Sequence, residues 1–396
     1  MSLHTGSAPQ EELPITRPQF GEEEVDAVRQ VLASGWVTQG PMTAKFEKAF
    51  AERHQLEHAL ATTSCTAALH LGMIALGVGP GDEVIVPAYT WVTSAYCVEY
   101  VGARVVFCDI DPHTYNIDLQ AAAAAISPRT RAIMPVHLFG LAVDMKTVTD
   151  LAQKHKLCVV EDAACAVGTT YQGRPVGGFG DIGCFSFHPR KVVTTGEGGM
   201  VTTRQADLAD HIAALRNHGA NRRLGPRNPR PYEMGVFDRL GFNLRLSDIQ
   251  AAIGLTQLAR LGQLLAHRRQ QALGYTERLK DVPWLRCPSE PAGCGHTYQS
   301  YVIRIEDDTP LSRNALMDEL AKHKIQSRPG TIAVHGIPYY RENYHFRSEQ
   351  FPAAHAAQEH TITLPIFPGM TSDHLDYITS ALLSAAKAPY SVRKAG

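Results

Sequence analysis

Two short apolar runs, each followed by polar residues, most constrain the fold of this chain. The first, Val159 to Asp162, ends in a carboxylate. The second, Ile182 to Phe187, leads to Lys191 and then to a glycine-rich turn, Thr194 to Gly199. An apolar run that ends in a polar residue is typical of a buried strand in an open α/β sheet, where ligands lie at the carboxyl ends of the strands. The pattern predicts an α/β fold with a site where these strands end.

The lysine and the carboxylate of these runs suggest a particular chemistry. An amine held between apolar residues and a small-residue loop is partly desolvated, which lowers its pKa. A neutral amine can attack a carbonyl and form a Schiff base. A nearby carboxylate such as Asp162 can keep the ring nitrogen of pyridoxal phosphate (PLP) protonated. Most lysines are solvated surface residues, so Lys191 alone proves little, but Lys191 and Asp162 together favour a PLP enzyme.

Four segments of the chain carry a resemblance to a known family. They are residues 61–70, 159–165, 181–200 and 241–254. In this order they resemble the sugar aminotransferases of the DegT/DnrJ/EryC/StrS family, and the resemblance extends roughly from Ile15 to Leu383. It implies PLP-dependent transferase fold type I, with a large α/β/α sandwich around a mixed, mostly parallel sheet and a smaller C-terminal α+β domain. The expected division is a flexible N-terminus over 1–14, a PLP-binding domain over 15–265 and a small domain over 266–396.

The resemblance also implies roles for individual residues around the cofactor. Lys191 would form the internal aldimine and shuttle protons. Cys65 stands where the family usually has glycine, and Cys165 stands where a polar group often lies beside the cofactor's 3-hydroxyl. The alternatives are an ordinary Ser/Thr helix cap at 64–67 and a packed tryptophan at position 91. The expected cofactor contacts are Thr66, Ala67, Trp91, Asp162, Cys165, Ser186, Lys191 and Asn243, of which Asn243 would reach across a homodimer interface into the partner's site.

Candidate substrate contacts are spread along the chain. Several have simpler explanations, because a tryptophan or histidine often packs and a loop arginine is often solvated. The loop 217–239 is rich in Arg, Pro and Asn, and its arginines could instead meet a diphosphate through bidentate contacts. The candidates are Trp36, His188, Arg223, Arg328 and His335.

These features predict the transfer of an amine to a sugar. The expected donor is L-glutamate or L-glutamine, and the expected acceptor is a nucleotide-linked 4-keto-6-deoxy sugar, used by a ping-pong route through pyridoxamine phosphate. Related sugar dehydratases carry histidine in place of Lys191, so the lysine favours amine transfer. The wording of 194–200 and 243–254 is similar to perosamine-synthase-type members, which implies deoxyamino sugar biosynthesis for lipopolysaccharide or antibiotics. The alternatives are an aminocyclitol aminotransferase acting on a keto-inositol and a non-catalytic, PLP-binding regulatory protein.

The composition excludes other classes of function. Charged residues make up 19% of the chain and the formal net charge is −1, so nothing favours nucleic acid or a membrane surface as a partner. The hydrophobic content of 44% supports a large core. The 8 cysteines include no C-x-x-C pair, which is typical of buried, reduced thiols and predicts a cytoplasmic protein. No metal-binding pattern and no apolar span of membrane length is present.

Overall fold

The computed structural model describes residues 11–221, 224, 233–306, 309 and 311–386. Over these residues, short strands alternate with helices. The strands are β1 (His58–Thr62), β2 (Glu83–Pro87), β3 (Tyr89–Thr90), β4 (Arg104–Cys108), β5 (Thr130–Ile133), β6 (Cys158–Asp162), β7 (Thr170–Tyr171), β8 (Arg174–Pro175), β9 (Ile182–Ser186), β10 (Gly199–Thr203), β11 (Leu285–Arg286), β12 (Tyr301–Ile305), β13 (Ile332–Ala333) and β14 (Thr361–Leu364). The α-helices are α1 (Glu22–Ser34), α2 (Pro41–His54), α3 (Cys65–Ala75), α4 (Val92–Glu99), α5 (Leu119–Ala124), α6 (Met145–His155), α7 (Ala206–Leu215), α8 (Asp248–Ala259), α9 (Leu261–Leu279), α10 (Arg313–Lys322), α11 (Pro338–Tyr344), α12 (Pro352–His360) and α13 (Ser372–Ala385).

A seven-stranded sheet forms the centre of the molecule, in the order β1-β10-β9-β6-β5-β2-β4. The strands from β9 to β4 pair in parallel, whereas β10 is antiparallel to both β9 and β1. Two large apolar clusters cover the sheet, which explains why its strands are near-continuous apolar runs. The predicted α/β/α architecture with a mixed, mostly parallel sheet is confirmed.

The apolar runs that end in Asp162 and lead to Lys191 are neighbours in this sheet. β6 pairs with β9 in parallel, and Asp162 lies opposite Cys184. The carboxyl ends of both strands therefore meet at one edge, where the backbone N–H of Ala163 donates to the Cys184 carbonyl at 2.9 Å. The sheet topology accordingly places the ends of β6 and β9 side by side, as the sequence predicts.

One helix differs from its sequence-based expectation. The sequence predicts a single helix from Ser247 to Leu264, but the helix ends at Ala259 and a new one begins at Leu261. The joint is Arg260, whose backbone is non-helical and whose guanidinium pairs with the buried carboxylate of Glu24 on α1. The prediction of one continuous helix is therefore wrong, because this contact between distant parts of the chain holds a kink at Arg260.

The C-terminal part has its own three-stranded antiparallel sheet, β11-β12-β14, and its own apolar cluster. The predicted boundary at 265/266 falls inside α9, which runs through it without a break. Leu13, expected in a frayed N-terminus, is 5% exposed and its N–H donates to the Lys324 carbonyl at 2.8 Å. Leu13 is therefore ordered, contrary to the prediction, because it gains buried apolar contacts. The division into two domains otherwise stays a prediction.

The segment around β13 belongs with the large domain rather than with the C-terminal sheet. β13 pairs with β3, so that Ile332 lies opposite Thr90. The buried residues Val334, Tyr340 and Phe351 join the apolar cluster of the central sheet. The N- and C-terminal parts of the chain are therefore interleaved.

Three chemical expectations of the sequence concern cysteines, metals and membranes. All 8 cysteines are free thiols. Over the described part of the chain, no group of three or more His, Cys, Asp or Glu residues is arranged to hold a metal ion. The helices described here are all too short or too polar to cross a bilayer. The cytoplasmic location stays a prediction.

Candidate active site

Lys191 lies on a loop that is pinned at several points between β9 and β10. The Lys191 N–H donates to the His188 carbonyl at 2.8 Å, which closes a tight turn. The Val192 N–H donates to Gln299 Oε1 at 3.0 Å, and Thr194 Oγ1 donates to the Phe187 carbonyl at 2.9 Å. The side chain of Lys191 is half-buried, and its Nζ donates to Cys165 Sγ at 3.0 Å. The loop thus presents a positioned amine rather than a freely moving surface lysine.

Asp162 is a buried carboxylate at the end of β6, with 4% of its surface exposed. Its Oδ2 accepts a hydrogen bond from Ser94 Oγ at 2.7 Å, and its Oδ1 accepts one from the Ala164 N–H at 3.1 Å. Within the described ranges, no Lys, Arg or His forms an ion pair with it. Burying a carboxylate without a cation is costly, so Asp162 is suited to receive a positively charged group from a ligand.

The N-terminus of α3 lies next to Ser186. Ser64 caps this helix, because its Oγ accepts from the Ala67 N–H at 3.1 Å. The N–H groups of Cys65 and Thr66, in the first turn, have no carbonyl within the helix to donate to. Such a helix end attracts anions through these amides and the helix dipole.

Gly199 is the contact that brings the strand and the helix together. It lies opposite Ser186 on β9 and opposite Thr62 on β1. A Cβ built on Gly199 would lie 2.5 Å from the Ser64 carbonyl oxygen and 2.6 Å from the Cys65 nitrogen. Position 65, where the family pattern has glycine, is cysteine here. Gly199 on the facing strand leaves the space that the backbone of this turn needs.

We expect Gly199→Ala to damage this turn. Overpacking of a tight site costs about 1–3 kcal/mol, so both the melting temperature and the affinity for a phosphate-bearing ligand should fall. Differential scanning fluorimetry and a PLP titration would measure the two effects. Gly262→Ala is the matched control, since a Cβ there meets no atom within 4 Å and alanine favours a helix. An alanine at position 199 that behaves like the wild type would contradict the expectation.

Trp91 is the residue immediately before α4, and 59% of its surface is exposed. Ser94, one turn further along the same helix, is the residue that reaches Asp162. A large exposed aromatic side chain beside a buried carboxylate is informative, because tryptophan usually buries most of its surface. The ring is therefore available to stack on a planar ligand.

Positive charge accumulates on the open side of Lys191. Burial lowers the pKa of the Arg328 guanidinium, and the nearby charge of Arg190 acts in the same direction. The Nε of Arg328 is buried and has no hydrogen-bond partner among the described residues. No described carboxylate lies within ion-pair distance of Lys191, Arg190 or Arg328. Cations that have no ion-pair partner attract an anionic ligand.

His188 borders the same cluster. Its Nδ1 accepts the N–H of Arg190 at 3.2 Å, so the proton of the neutral ring is assigned to Nε2. Burial lowers the pKa of His188; Glu197 opposes this effect and Lys191 adds to it. His188 therefore offers a neutral N–H donor close to the amine.

A second carboxylate on β6 braces the strand from the opposite face. Glu161 is fully buried and its Oε2 lies 3.1 Å from His137 Nε2. It also accepts from the N–H groups of Gly177, Phe179 and Gly180, each at 2.7 Å. These hydrogen bonds, led by the one from His137 and opposing the effect of burial, hold the pKa of Glu161 below its usual value. This network fixes the end of β6 and hence the backbone of Asp162.

Other predicted contacts lie apart from this cluster in the single chain. His335 is 1% exposed and its ring centroid lies 4.6 Å from that of Phe351, so the prediction of a substrate contact there is corrected: the imidazole is enclosed by the core. Trp36 is 55% exposed, and its Nε1 donates to the Gln39 carbonyl at 3.2 Å. Asn243 is exposed as well.

The loop arginines that were predicted to meet a diphosphate are not among the described residues. Arg223 lies outside the described residues. So do its loop neighbours Arg222, Arg227 and Arg230. The diphosphate contact predicted for them stays a prediction.

The structure adds residues that sequence reasoning missed. Ser94 is the foremost, since its hydroxyl is a direct partner of Asp162. Its only signal in the sequence is a hydroxyl residue one helical turn after Trp91. Arg190 was also missed, although it directly precedes Lys191. Gln299, whose side chain also donates to the Arg190 carbonyl, gave no signal at all.

Comparison with known proteins decides the family. The model of the DegT/DnrJ/EryC1/StrS aminotransferase family matches residues 18–383. The chain belongs to this family. It is 38% identical over 381 residues to the spore coat polysaccharide biosynthesis protein SpsC of Bacillus subtilis, covering 95% of this chain and 97% of that protein. It is 38% identical over 372 residues to the GDP-perosamine synthase of Caulobacter vibrioides, covering 93% and 97%.

Solved structures agree in fold. An aminotransferase from Psychrobacter cryohalolentis superposes with a TM-score of 0.90 at 31% identity, covering 95% of this chain and 100% of that one. DesV of S. venezuelae, solved with a ketimine intermediate, gives 0.86 at 30% identity, covering 96% and 100%. The Streptococcus pneumoniae protein Spr1654, solved in its PLP form, gives 0.89 at 29% identity, covering 95% and 99%. This DegT/DnrJ/EryC1/StrS protein is thus a PLP-dependent sugar aminotransferase of fold type I.

The residues on this chain fit the cofactor. PLP presents an aldehyde, a basic ring nitrogen and a phosphate. The half-buried amine of Lys191, the buried and cation-free carboxylate of Asp162, and the α3 amides beside Ser186 offer one complementary group for each. The donor set therefore matches the chemistry that PLP requires.

Proposed function

We propose that this enzyme moves the amine of L-glutamate (or L-glutamine) onto the keto group of a nucleotide-linked 4-keto-6-deoxy sugar. The observation that carries the donor half is the cluster of Lys191, Arg190 and Arg328, which no described carboxylate neutralises. The acceptor half is supported by the similarity to a GDP-perosamine synthase over 93% of the chain. Donor and acceptor would use the site in turn, which gives ping-pong kinetics.

Each end of the cofactor has a residue of this chain to hold it. When bound, PLP supplies an electron-accepting ring that carries the amino group from donor to acceptor. Asp162 would accept the ring N–H, and Trp91 would cover one face of the ring. Ser186 and Thr66, with the free amides at the start of α3, would hold the phosphate, since the Ala67 N–H is already donated to Ser64 Oγ. Cys165, whose thiol contacts Lys191 Nζ, lies beside the ring's hydroxyl.

Lys191 has two tasks in this proposal. Its amine would anchor the cofactor covalently in the resting enzyme. When it is not so bound, Nζ would act as the general acid and base that moves protons in the site. The pinned loop keeps Nζ in the site through both halves of the cycle.

The donor's carboxylate would meet the cations on the open side of the site. Arg328 and Arg190 supply the charge, and His188 Nε2 supplies a neutral N–H donor. Because Arg328 Nε is buried without a partner, a carboxylate there would also satisfy an unpaired donor.

We expect Arg328→Gln to raise the KM for L-glutamate by about 10–100-fold, the equivalent of one lost charge-assisted hydrogen bond. The rate at saturating glutamate should change much less, because the amine and the cofactor contacts remain. Steady-state kinetics with each substrate varied in turn would separate the two parameters. Arg53→Gln, at an exposed arginine near the end of α2, is the control. An unchanged KM for glutamate would rule Arg328 out as a donor contact.

The same proposal includes a homodimer with composite sites. Asn243 is exposed on this chain, and we propose that it reaches the cofactor phosphate in the partner's site. Trp36, also exposed, would line the substrate cleft. Sedimentation measurements on the wild type and on Asn243→Ala, together with PLP titrations, would test whether the residue acts across the interface.

A substrate panel tests the function as a whole. The PLP-loaded enzyme is mixed with L-glutamate or L-glutamine, and loss of the cofactor's visible band reports the donor half. The treated enzyme is then offered GDP- and dTDP-linked 4-keto-6-deoxy sugars and a keto-inositol, and products are identified by mass spectrometry. Amination of a nucleotide-linked sugar supports the proposal, whereas amination of the keto-inositol alone would establish the aminocyclitol alternative.

A further inference from the structure

Two buried hydroxyl groups form a chain that ends on Asp162. Ser94 Oγ donates to Asp162 Oδ2 at 2.7 Å, and Thr90 Oγ1 lies 2.9 Å from Ser94 Oγ. Ser94 is 0% exposed and Thr90 is 1% exposed. Neither hydroxyl is therefore in contact with bulk solvent.

The direction of these hydrogen bonds follows from counting protons. A hydroxyl carries a single proton and an ionised carboxylate carries none. Ser94 must spend its proton on Asp162, so it can only accept from Thr90. The hydrogen bonds therefore form a relay in which Thr90 donates to Ser94 and Ser94 donates to Asp162. A serine in a helix commonly bonds the carbonyl one turn earlier; here its hydroxyl is kept for the carboxylate.

We propose that Ser94, oriented by Thr90, is a positioning residue that fixes the Asp162 carboxylate for the ring nitrogen of the cofactor. The proposal rests on the role of Asp162 given above. Ser94 holds Oδ2 and the Ala164 N–H holds Oδ1, so the carboxylate is held on both oxygens and cannot rotate freely. A hydrogen bond donated to a carboxylate also stabilises its charge, which suits Asp162 to face a positively charged ring nitrogen.

Thr90, the first hydroxyl of this relay, is anchored by the segment that carries Arg328. The Thr90 carbonyl accepts from Thr331 Oγ1 at 3.1 Å, and Thr90 lies opposite Ile332 in the β3–β13 pair. The position of Thr90 therefore depends on the same segment that would meet the donor. The relay thus links the donor side of the site to the ring-nitrogen side.

The test compares holoenzymes in which single hydroxyls are removed or restored. Ser94→Ala is expected to raise the PLP dissociation constant about tenfold and to shift the pH profile of the cofactor's visible band. Thr90→Val should shift both in the same direction by a smaller factor, and Thr90→Ser, which restores the hydroxyl, should return both to wild-type values. Thr379→Val removes a buried hydroxyl from α13 and should change neither the dissociation constant nor the band.

Asp162→Asn separates this inference from the proposal on which it rests. If Asp162→Asn weakens PLP binding and alters the band while Ser94→Ala behaves like the wild type, the relay is overturned and the role of Asp162 stands. If Asp162→Asn itself is silent, both are overturned. Should Ser94→Ala fail to fold, the pair at position 90 carries the test, and equal behaviour of Thr90→Val and Thr90→Ser overturns the relay.

Discussion

Replacing Lys191 by alanine is expected to abolish turnover while leaving the fold intact. The only hydrogen bond described for its side chain is the one to Cys165 Sγ, and no described carboxylate pairs with it, so the free energy of unfolding should change little. The chemical loss is large. General acid–base catalysis alone contributes about 10²–10⁴-fold, and the covalent anchor of the cofactor disappears as well. We therefore expect kcat to fall by at least about 10³-fold.

Borohydride reduction makes this prediction direct. In the wild-type holoenzyme, reduction should fix the cofactor to the peptide that contains Lys191, and mass spectrometry would locate the adduct. The alanine variant should carry no adduct there, although it should still bind PLP through its other contacts. Lys154→Ala, at an exposed lysine of α6, should label and turn over like the wild type. An adduct on another lysine in the wild type would refute the assignment.

Asp162→Asn is expected to weaken the cofactor site while sparing the empty protein. Asparagine keeps the shape of the side chain and its one oxygen can still accept from Ser94, but it removes a buried charge and one of the two acceptors, the one that meets the Ala164 N–H. Losing one charge-assisted hydrogen bond to the ring nitrogen corresponds to about 1.5–3 kcal/mol, or roughly a 10–100-fold weaker PLP affinity. The rate should fall by about 10²–10³-fold, as when a preorganised electrostatic contact is removed.

The melting temperature of the PLP-free protein distinguishes loss of a cofactor contact from a general loss of stability. Removing a buried charge that has no cation should offset the loss of the acceptor for the Ala164 N–H, so the melting temperature of the PLP-free protein should change little. The increase in melting temperature on adding PLP should shrink, since ligand stabilisation follows affinity. Glu161→Gln is the matched neighbour: it disturbs the His137 network and should lower the melting temperature with or without PLP. A full PLP response in Asp162→Asn would contradict the prediction.

The sequence predicts this fold well where a signal is local. The apolar runs Val159 to Asp162 and Ile182 to Phe187 match the strands β6 and β9 to within one residue, because an apolar run is a property of neighbouring residues. The ends of β6 and β9 are neighbours because parallel strands align their carboxyl ends. Sequence reasoning could therefore place Asp162 and the loop of Lys191 at the same edge of the sheet.

What the sequence missed depends on contacts between distant residues. Ser94 meets Asp162 across 68 positions of chain, and nothing in its own surroundings marks that bond. The break at Arg260 depends on Glu24, 236 positions away. His335 follows Arg328 closely in the chain, yet packing against Phe351 encloses its ring. Burial of this kind is decided by how the β13 segment folds back on the large domain, which no local pattern records.

That return of the chain has a consequence for how the enzyme exchanges its two substrates. β13 is paired with β3, and the apolar residues that follow it are set into the core of the central sheet. A hinge between the two halves would have to pull these residues out into water, at about 25 cal/mol for each Å² of apolar surface exposed. A wide hinge motion that opens and closes the site is therefore disfavoured. The proposed amino-acid and sugar substrates would therefore enter and leave a site that stays open to solvent between the two half-reactions.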